Sequence, residues 1–588
     1  MASESFDIII AGGGLAGLVL ASRISELPDV RVLVVEAGED QNADPRVMMP
    51  AMWQSLIGTT ATTNFMTVPQ EGLEHRTLKS PQGRILGGSA ALNGLAFAAP
   101  SKSNIEAWAD LGNPGWEWSV FLESMRKAVT VNSSGRAALG DGPIQLTFPD
   151  DDTKWVEAWR EVLAQHNFTM ANTSDLFSGQ ICGGLITPDT VDPKTKQRSF
   201  PSIAYLRSVI QTRGNLTIWT QAVVNKILFR IDDATHETVA AGLEVTKSGQ
   251  TFSVEAKKEI VLTAGTLGSP RLLELSGVGD ASRLSSLGID VVINNPFVGE
   301  NLQNHPMCGI NYEIVPKDGF ETLDNLARQD PDSLKAALEE YSQQKGPLTK
   351  SNTNITAQLP LPSHADDELL ASIGLDGEGT SDFAGAHGSY VRSVLSSRNE
   401  ASATYILFPG FASSKSDGTM ITAPSGTESY LSITLLLAQP LSRGSVHLTS
   451  TDGVALDPKY LTHALDIEVF ARHLQFADKL ISVGPLTDLI KSGSERKPGT
   501  IKPGDFEDLD RAKEYLRRNA IGAVHYTGTC SMMPREMGGV VDPQLRVYGC
   551  RNLRVCDASI IPIIPRANIQ AAVYGVAEHA AGIIKGNL

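Results

Sequence analysis

An α/β fold, α+β over the whole chain, is predicted by three observations. The first is a strand–turn–helix–strand unit at residues 6–36. The second is a block of strand-like runs over residues 214–266. The third is a closing strand and helix over residues 553–584. Phe6-Asp7-Ile8-Ile9-Ile10-Ala11 is short and β-branched, as a buried strand is. Gly12-Gly13-Gly14-Leu15-Ala16-Gly17 follows, then a helix over Leu18–Glu26 and a second strand over Arg31–Val35 that ends at Glu36. That is a βαβ unit within about 30 residues. Residues 80–100 are glycine-rich and apolar, and Trp108–Val129 reads as helix. Strands are predicted at Leu216–Thr220, Val223–Arg230, Ala241–Val245, Thr251–Ala256 and Glu259–Ala264. Residues 313–425 carry a polar helical piece at Leu334–Gln344 and Ser/Asp/Gly-rich loops. Strands return at Tyr430–Leu437 and Ser445–Leu448, a helix at Asp466–Val483, a strand at Leu553–Cys556 and a helix at Gln570–Ile584. No internal repeat or low-complexity tract is visible.

Composition sets the limits. The 588 residues are 41% apolar and 20% charged, enough to bury a large core and unlike a disordered chain. The charge is 50 − 66 = −16, which argues against nucleic acid or an anionic membrane as the main partner. The longest apolar stretch, Ile8–Ala21, is too short to span a bilayer and holds four glycines. Glu4 and Asp7 precede it and no basic n-region exists, so the expectation is a cytoplasmic protein, or a secreted one if an upstream signal was trimmed. Five cysteines (Cys182, Cys308, Cys530, Cys550, Cys556) form no CxxC pair, and no HExxH or EF-hand loop occurs, so no metal is expected. Sequons at Asn132, Asn167, Asn172, Asn215 and Asn354 are near the number chance gives. No Gly-x-Ser-x-Gly elbow supports hydrolase chemistry.

Gly12-x-Gly14-x-x-Gly17 has the full context of a dinucleotide site: a strand before it, a helix after it, and Glu36 ending the next strand 19 residues past Gly17. The first glycine permits the turn, the second lets a pyrophosphate approach the backbone, and the third lets helix and strand pack. The backbone N–H groups of Leu15 and Ala16 open the helix, whose dipole favours phosphate. Glu36 suits ribose hydroxyls. This constellation does not separate NAD from FAD.

Two longer segments do. Gly83-Arg84-Ile85-Leu86-Gly87-Gly88-Ser89-Ala90-Ala91-Leu92-Asn93 and Gly265-Thr266-Leu267-Gly268-Ser269-Pro270-Arg271-Leu272-Leu273-Glu274-Leu275-Ser276-Gly277-Val278-Gly279 resemble the two signatures of the glucose–methanol–choline (GMC) oxidoreductases. Ala90 departs from the usual Ser, Thr or Gly, and Asn304 stands where Asp is usual. The resemblance also covers Ala107–Trp118, Val298–Pro306, Pro440–Gly444 and Val524–Ile584, with a tail similar to glucose oxidases, and suggests a fungal specialised-metabolism member akin to aryl-alcohol oxidases. It implies a Rossmann-like FAD domain at 1–110, 210–310 and 521–588. It also implies a substrate domain, an antiparallel sheet plus helices, at 111–209 and 311–520. It places Ser89, Asn93 and Gly94 against the flavin, Val224 by the adenine, and Asp557, Ala558 and Ile569 along the cofactor. Leu92 stands where some members tether FAD through histidine, so FAD is expected to be noncovalent.

The resemblance also places a catalytic pair, His525 and Asn568, over the flavin N5. Alcohol oxidation removes a proton from oxygen and a hydride from carbon. An imidazole near its ordinary pKa of about 6.5 suits the proton step. His525 is then the expected base and Asn568 the group that holds the alcohol oxygen. Protonated His525 would favour electron transfer to O2. Of the other histidines, His305 reads as part of a structural turn before Pro306, His447, His463 and His473 as sheet or surface positions, and His579 as part of the last helix. The expected partners are a small-molecule alcohol and an acceptor, O2 or a quinone. Oligomeric state is left open, a homodimer included. The alternative is a non-redox cyclase or dehydratase on the same flavin-binding scaffold.

Overall fold

A computed structural model describes residues 4–588 apart from 134–137, 150–152, 172–175, 363–381 and 493–500. The sequon at Asn172 therefore lies outside the described residues. Two sheets organise the rest. The first has seven strands. Its main path runs Leu216–Trp219, Val32–Val35, Ser5–Ala11, Gln250–Leu262, Thr238–Lys247, Ala222–Ile231, and Leu553–Val555 joins at Gln250–Leu262. The pairings around Ser5–Ala11 are parallel, and those of Thr238–Lys247 are antiparallel. Parallel strands buried on both faces read as continuous apolar runs, and Val32–Val35 is buried throughout. The second sheet is antiparallel: Ile521–Gly522, Pro306–Ile314, Ser429–Leu437, Ala403–Phe408, Ile355–Leu359, Gly183–Ile186. Each sheet has its own apolar core. The helices Leu15–Ile24 and Ile569–Gly586 contribute to the first, and Lys154–Gln165 and Ala464–Ile481 to the second.

Three sequence expectations change. The strands expected at Thr251–Ala256 and Glu259–Ala264 are one 13-residue strand, Gln250–Leu262. Exposed Lys257 and Lys258 break its apolar pattern, and the register against Ser5–Ala11 shifts at the same place. Its first half pairs with Thr238–Lys247 and its last three residues with Leu553–Val555. The helix expected at Trp108–Val129 is two, Lys102–Asp110 and Trp118–Lys127. Gly112 and Gly115, both with positive φ around Pro114, break it. His473 is on neither a sheet nor the surface. It sits fully buried in the helix Ala464–Ile481, with its ring bonded to Ser402 Oγ and Tyr405 OH at 2.7 Å each. His463 caps the same helix by accepting from Leu465 N at 3.1 Å. No described helix is long and apolar enough to cross a membrane.

Candidate active site

A continuous cavity of about 1790 Å³ runs from the N-terminal glycine turn to the face of the second sheet. Gly12, Gly14, Leu15, Ala16 and Glu36 line one end, and Val224 and Ala558 line its walls. Ser89, Asn93 and Gly94 lie in the middle with His525, Asn568, Ile569 and Asp557. The chain thus gathers all the sequence-predicted positions except Gly17 around one space. Gly17 is a packing residue: a Cβ there would lie 2.0 Å from Gly12 O and 2.7 Å from Thr263 Oγ1. A Cβ on Gly14 would meet no protein atom closer than 3.8 Å. Backbone is therefore open to a ligand beside the N-terminus of Leu15–Ile24, as a pyrophosphate requires. Glu36 accepts from Gly13 N and Gly38 N at 2.7 Å each. Burial pushes its pKa up, with those N–H groups opposing. These residues fit the nucleotide end of FAD.

Several of the polar groups expected to meet the cofactor are already engaged. Asn93 Oδ1 accepts from Arg198 Nη1 at 2.8 Å and Leu95 N at 3.1 Å, while Nδ2 donates to Gln570 Oε1 at 2.9 Å. The Asn93 side chain, expected to hydrogen-bond a flavin edge, is thus oriented by protein, with one amide N–H left over. Ser89 Oγ accepts from Gly83 N at 3.0 Å. Asp557 accepts from Gly265 N, Ser269 Oγ and Ser559 N, and burial raises its pKa against those bonds. Arg198 is fully buried and donates to the carbonyls of Val47, Ala90 and Asn93. Burial lowers its pKa to about 9. No sequence signal marked it. Arg198→Met strands these carbonyls without a donor. It is expected to destabilise the protein by about 3 kcal/mol and to lower flavin retention. An unchanged melting curve and flavin content would rule that out.

The catalytic pair is held from several sides. Asn568 occupies the N-cap position of Ile569–Gly586, yet its side chain makes no capping bond. Its Nδ2 lies 3.3 Å from His525 Nε2 instead. Two residues earlier, fully buried Arg566 donates to Ser101 Oγ, Ser103 Oγ and Ala401 O and pairs with Glu400, which fixes the segment. His525 follows Val524, whose φ is +61°, a costly conformation for a β-branched residue. Its backbone N donates to Asn304 Oδ1 at 2.7 Å, and Asn304 donates in turn to Tyr460 OH.

His305 needs correction. The sequence points to a structural turn residue, but its Nδ1 lies 2.9 Å from His525 Nδ1, with the rings edge to face. Only one proton fits between the two nitrogens. Asn568 Nδ2 donating to His525 Nε2 requires a lone pair there, so the shared proton belongs on His525 Nδ1. His305 then carries its own proton on Nε2. The Pro565 and Ala438 carbonyls favour protonation of that ring, though Nε2 reaches neither in hydrogen-bond geometry. The two histidines are 220 residues apart. The only sequence hint was that His305 lies in a segment resembling the family.

The expected pKa also changes. His525 is enclosed by protein, although part of its ring faces the cavity, and this desolvation pulls its pKa down to about 4. It is therefore a neutral acceptor at neutral pH, and a lasting imidazolium beside the flavin is disfavoured. Burial and the neighbouring His525 push His305 well below the usual range too.

A glycine-turn nucleotide cleft that opens onto a histidine–asparagine pair defines a cofactor-dependent oxidoreductase. The chain belongs to the GMC oxidoreductase family. Residues 6–307 match its N-terminal family profile and residues 440–577 its C-terminal one. The chain is 32% identical to dehydrogenase citC of Monascus ruber, across 99% of this chain and 96% of that protein. It is 28% identical to pyranose dehydrogenase 3 of Leucoagaricus meleagris, across 98% and 92%. An FAD-dependent oxidoreductase from Chaetomium thermophilum superposes with a TM-score of 0.86 at 25% identity, across 99% of both chains. The protein is thus an FAD-dependent oxidoreductase that acts on CH–OH donors.

Proposed function

We propose that the protein oxidises a primary or secondary alcohol of a small molecule to an aldehyde or ketone, with FAD held noncovalently and O2 or a quinone as final acceptor. The observation that carries this is the His525–Asn568 pair facing the cavity, with a lone pair on His525 Nε2. When bound, the flavin supplies the acceptor for the hydride. The chain's own residues do the rest. His525 Nε2 takes the hydroxyl proton. His305 holds the His525 tautomer in which Nε2 is an acceptor, lying 3.3 Å from Asn568 Nδ2. The Asn568 amide donates to the alcohol oxygen and sets its angle. A base with a pKa of about 4 takes that proton only as the carbon loses its hydride, because an alkoxide alone is far more basic. Leu92 offers no nucleophile for a covalent tether.

The test is a panel of alcohols mixed anaerobically with holoenzyme. The flavin absorbance should bleach with at least one, and the matching carbonyl compound should form. Product that accumulates without bleaching would instead make the enzyme a cyclase or dehydratase.

A pH prediction follows. Neutral His525 is the active form, and its pKa is lowered, so the base is ready at every pH above about 4. The flavin-reduction rate at saturating alcohol should be flat from pH 9 to about 5.5 and fall as pH drops through about 4. A midpoint near 6.5 or above would show that burial does not set this group.

A further inference from the structure

The substrate end of the cavity has a chemistry of its own. Its floor is one face of the antiparallel sheet. Residues two apart on each strand share that face, and the register aligns them in rows. One row is Gln358, Thr404, Leu436 and Met307, and the next contains Thr356, Ile406 and Thr434. Leu334 and Leu338, one turn apart on the helix Pro331–Ser342, stand half-exposed at the mouth. Charged lining groups are sparse. Glu36, Arg84, Arg271 and Asp557 come from the end of the strand Val32–Val35, the Gly83 segment, the helix Gly268–Leu275 and the Asp557 bridge described above, on the cofactor side. Among the described residues on the substrate side, only Lys79 is charged, and Asp417 pairs with it at 2.8 Å.

The polar groups on this face of the sheet are uncharged: Gln358, Thr356, Thr404 and Thr434. Gln358 is buried, and its Oε1 accepts from Thr404 Oγ1 at 3.0 Å. Its amide nitrogen has no partner among the described residues, nor has the Thr434 hydroxyl. Gln358 lines the cavity, and its amide nitrogen is not sealed off from it, so its N–H groups are available to a ligand that accepts from them. Met307 pairs with Ile521 and lies two residues from His305, at the catalytic edge of the sheet. Gln358 is three strands further across. At about 4.8 Å per strand, that is roughly 14 Å.

We infer that this chamber takes an uncharged alcohol with an apolar body on the order of 10 Å long. A hydrogen-bond acceptor at the end remote from the carbinol would meet Gln358 Nε2. A fused bicyclic aromatic or a long alkyl chain bearing a ketone, ester or ether fits. A sugar is disfavoured beside the catalytic edge, where Met307, Leu436 and Ile406 offer its ring hydroxyls no partner. A carboxylate or ammonium does not fit, because no opposite charge is free to meet it. The inference rests on the alcohol-oxidation reading above.

The test uses holoenzyme, anaerobic flavin bleaching and three probes: acetyl-naphthylmethanol, its isostere carboxy-naphthylmethanol, and glucose. The neutral naphthyl alcohol should have a rate constant over concentration on the order of 100-fold above either other probe. Equal or faster bleaching by glucose or the carboxylate overturns the inference and leaves the alcohol-oxidation reading standing. If none of the three, nor benzyl alcohol, bleaches the flavin, that underlying reading falls instead. Gln358→Arg should invert the order of the two naphthyl probes, an inversion that misfolding cannot imitate. If that variant binds no flavin, the wild-type panel decides alone.

Discussion

Replacing His525 by alanine is expected to slow anaerobic flavin reduction by about 10²–10⁴-fold, the usual worth of a positioned general base. Flavin content should be kept. The variant removes the only nitrogen at the pair whose lone pair faces the cavity. Asn568 has no basic atom to replace it. His305 lies behind His525, with its Nδ1 turned toward the vacated ring and its own protonation disfavoured by burial. The effect should appear in the reduction rate at saturating alcohol, because proton removal belongs to the chemical step and not to binding. A rate within threefold of wild type, at normal flavin content, would falsify the base assignment.

Gly17→Ala should lose the fold, while Gly14→Ala should lose only the cofactor. A methyl at position 17 meets main-chain Gly12 O and the Thr263 hydroxyl well inside contact distance. The helix Leu15–Ile24 must then lift off the sheet, a cost of about 3 kcal/mol or more that should show as a lower melting temperature and poor soluble yield. Gly14 has an ordinary φ of −79° and open space around it. Alanine there should leave apoprotein stability within about 0.5 kcal/mol but fill the approach that a phosphate needs, so the flavin-to-protein absorbance ratio should fall. Full flavin content in Gly14→Ala would mean that this turn does not carry the pyrophosphate.

Much of this was legible in the sequence, for a local reason. The glycine turn, its strands and Glu36 lie within one βαβ unit, where period and spacing carry the signal. His525 and Asn568 were found only through the resemblance, since an isolated histidine says nothing. His305 and Arg198 were missed because their meaning comes from contacts across 220 and 105 residues. Nothing in their own neighbourhoods announces those contacts. His473 read as a sheet or surface position because its partners, Ser402 and Tyr405, lie some 70 residues away, at the start of the strand Ala403–Phe408. The merged strand Gln250–Leu262 was missed because a lysine pair at a bulge imitates a turn.

That strand also has a consequence for how the protein is made. Its last three residues take their second neighbour from Leu553–Val555, and the cavity that begins at Gly12 is closed by Asn568. A ribosome that adds roughly 5–20 residues per second needs about half a minute to two minutes to go from Gly12 to Asn568, and about a quarter of a minute to a minute from Leu262 to Leu553. Throughout those intervals the nascent chain exposes an unpaired sheet edge and an incomplete nucleotide cleft. The nucleotide cleft is therefore complete only once Asn568 has been made and folded back.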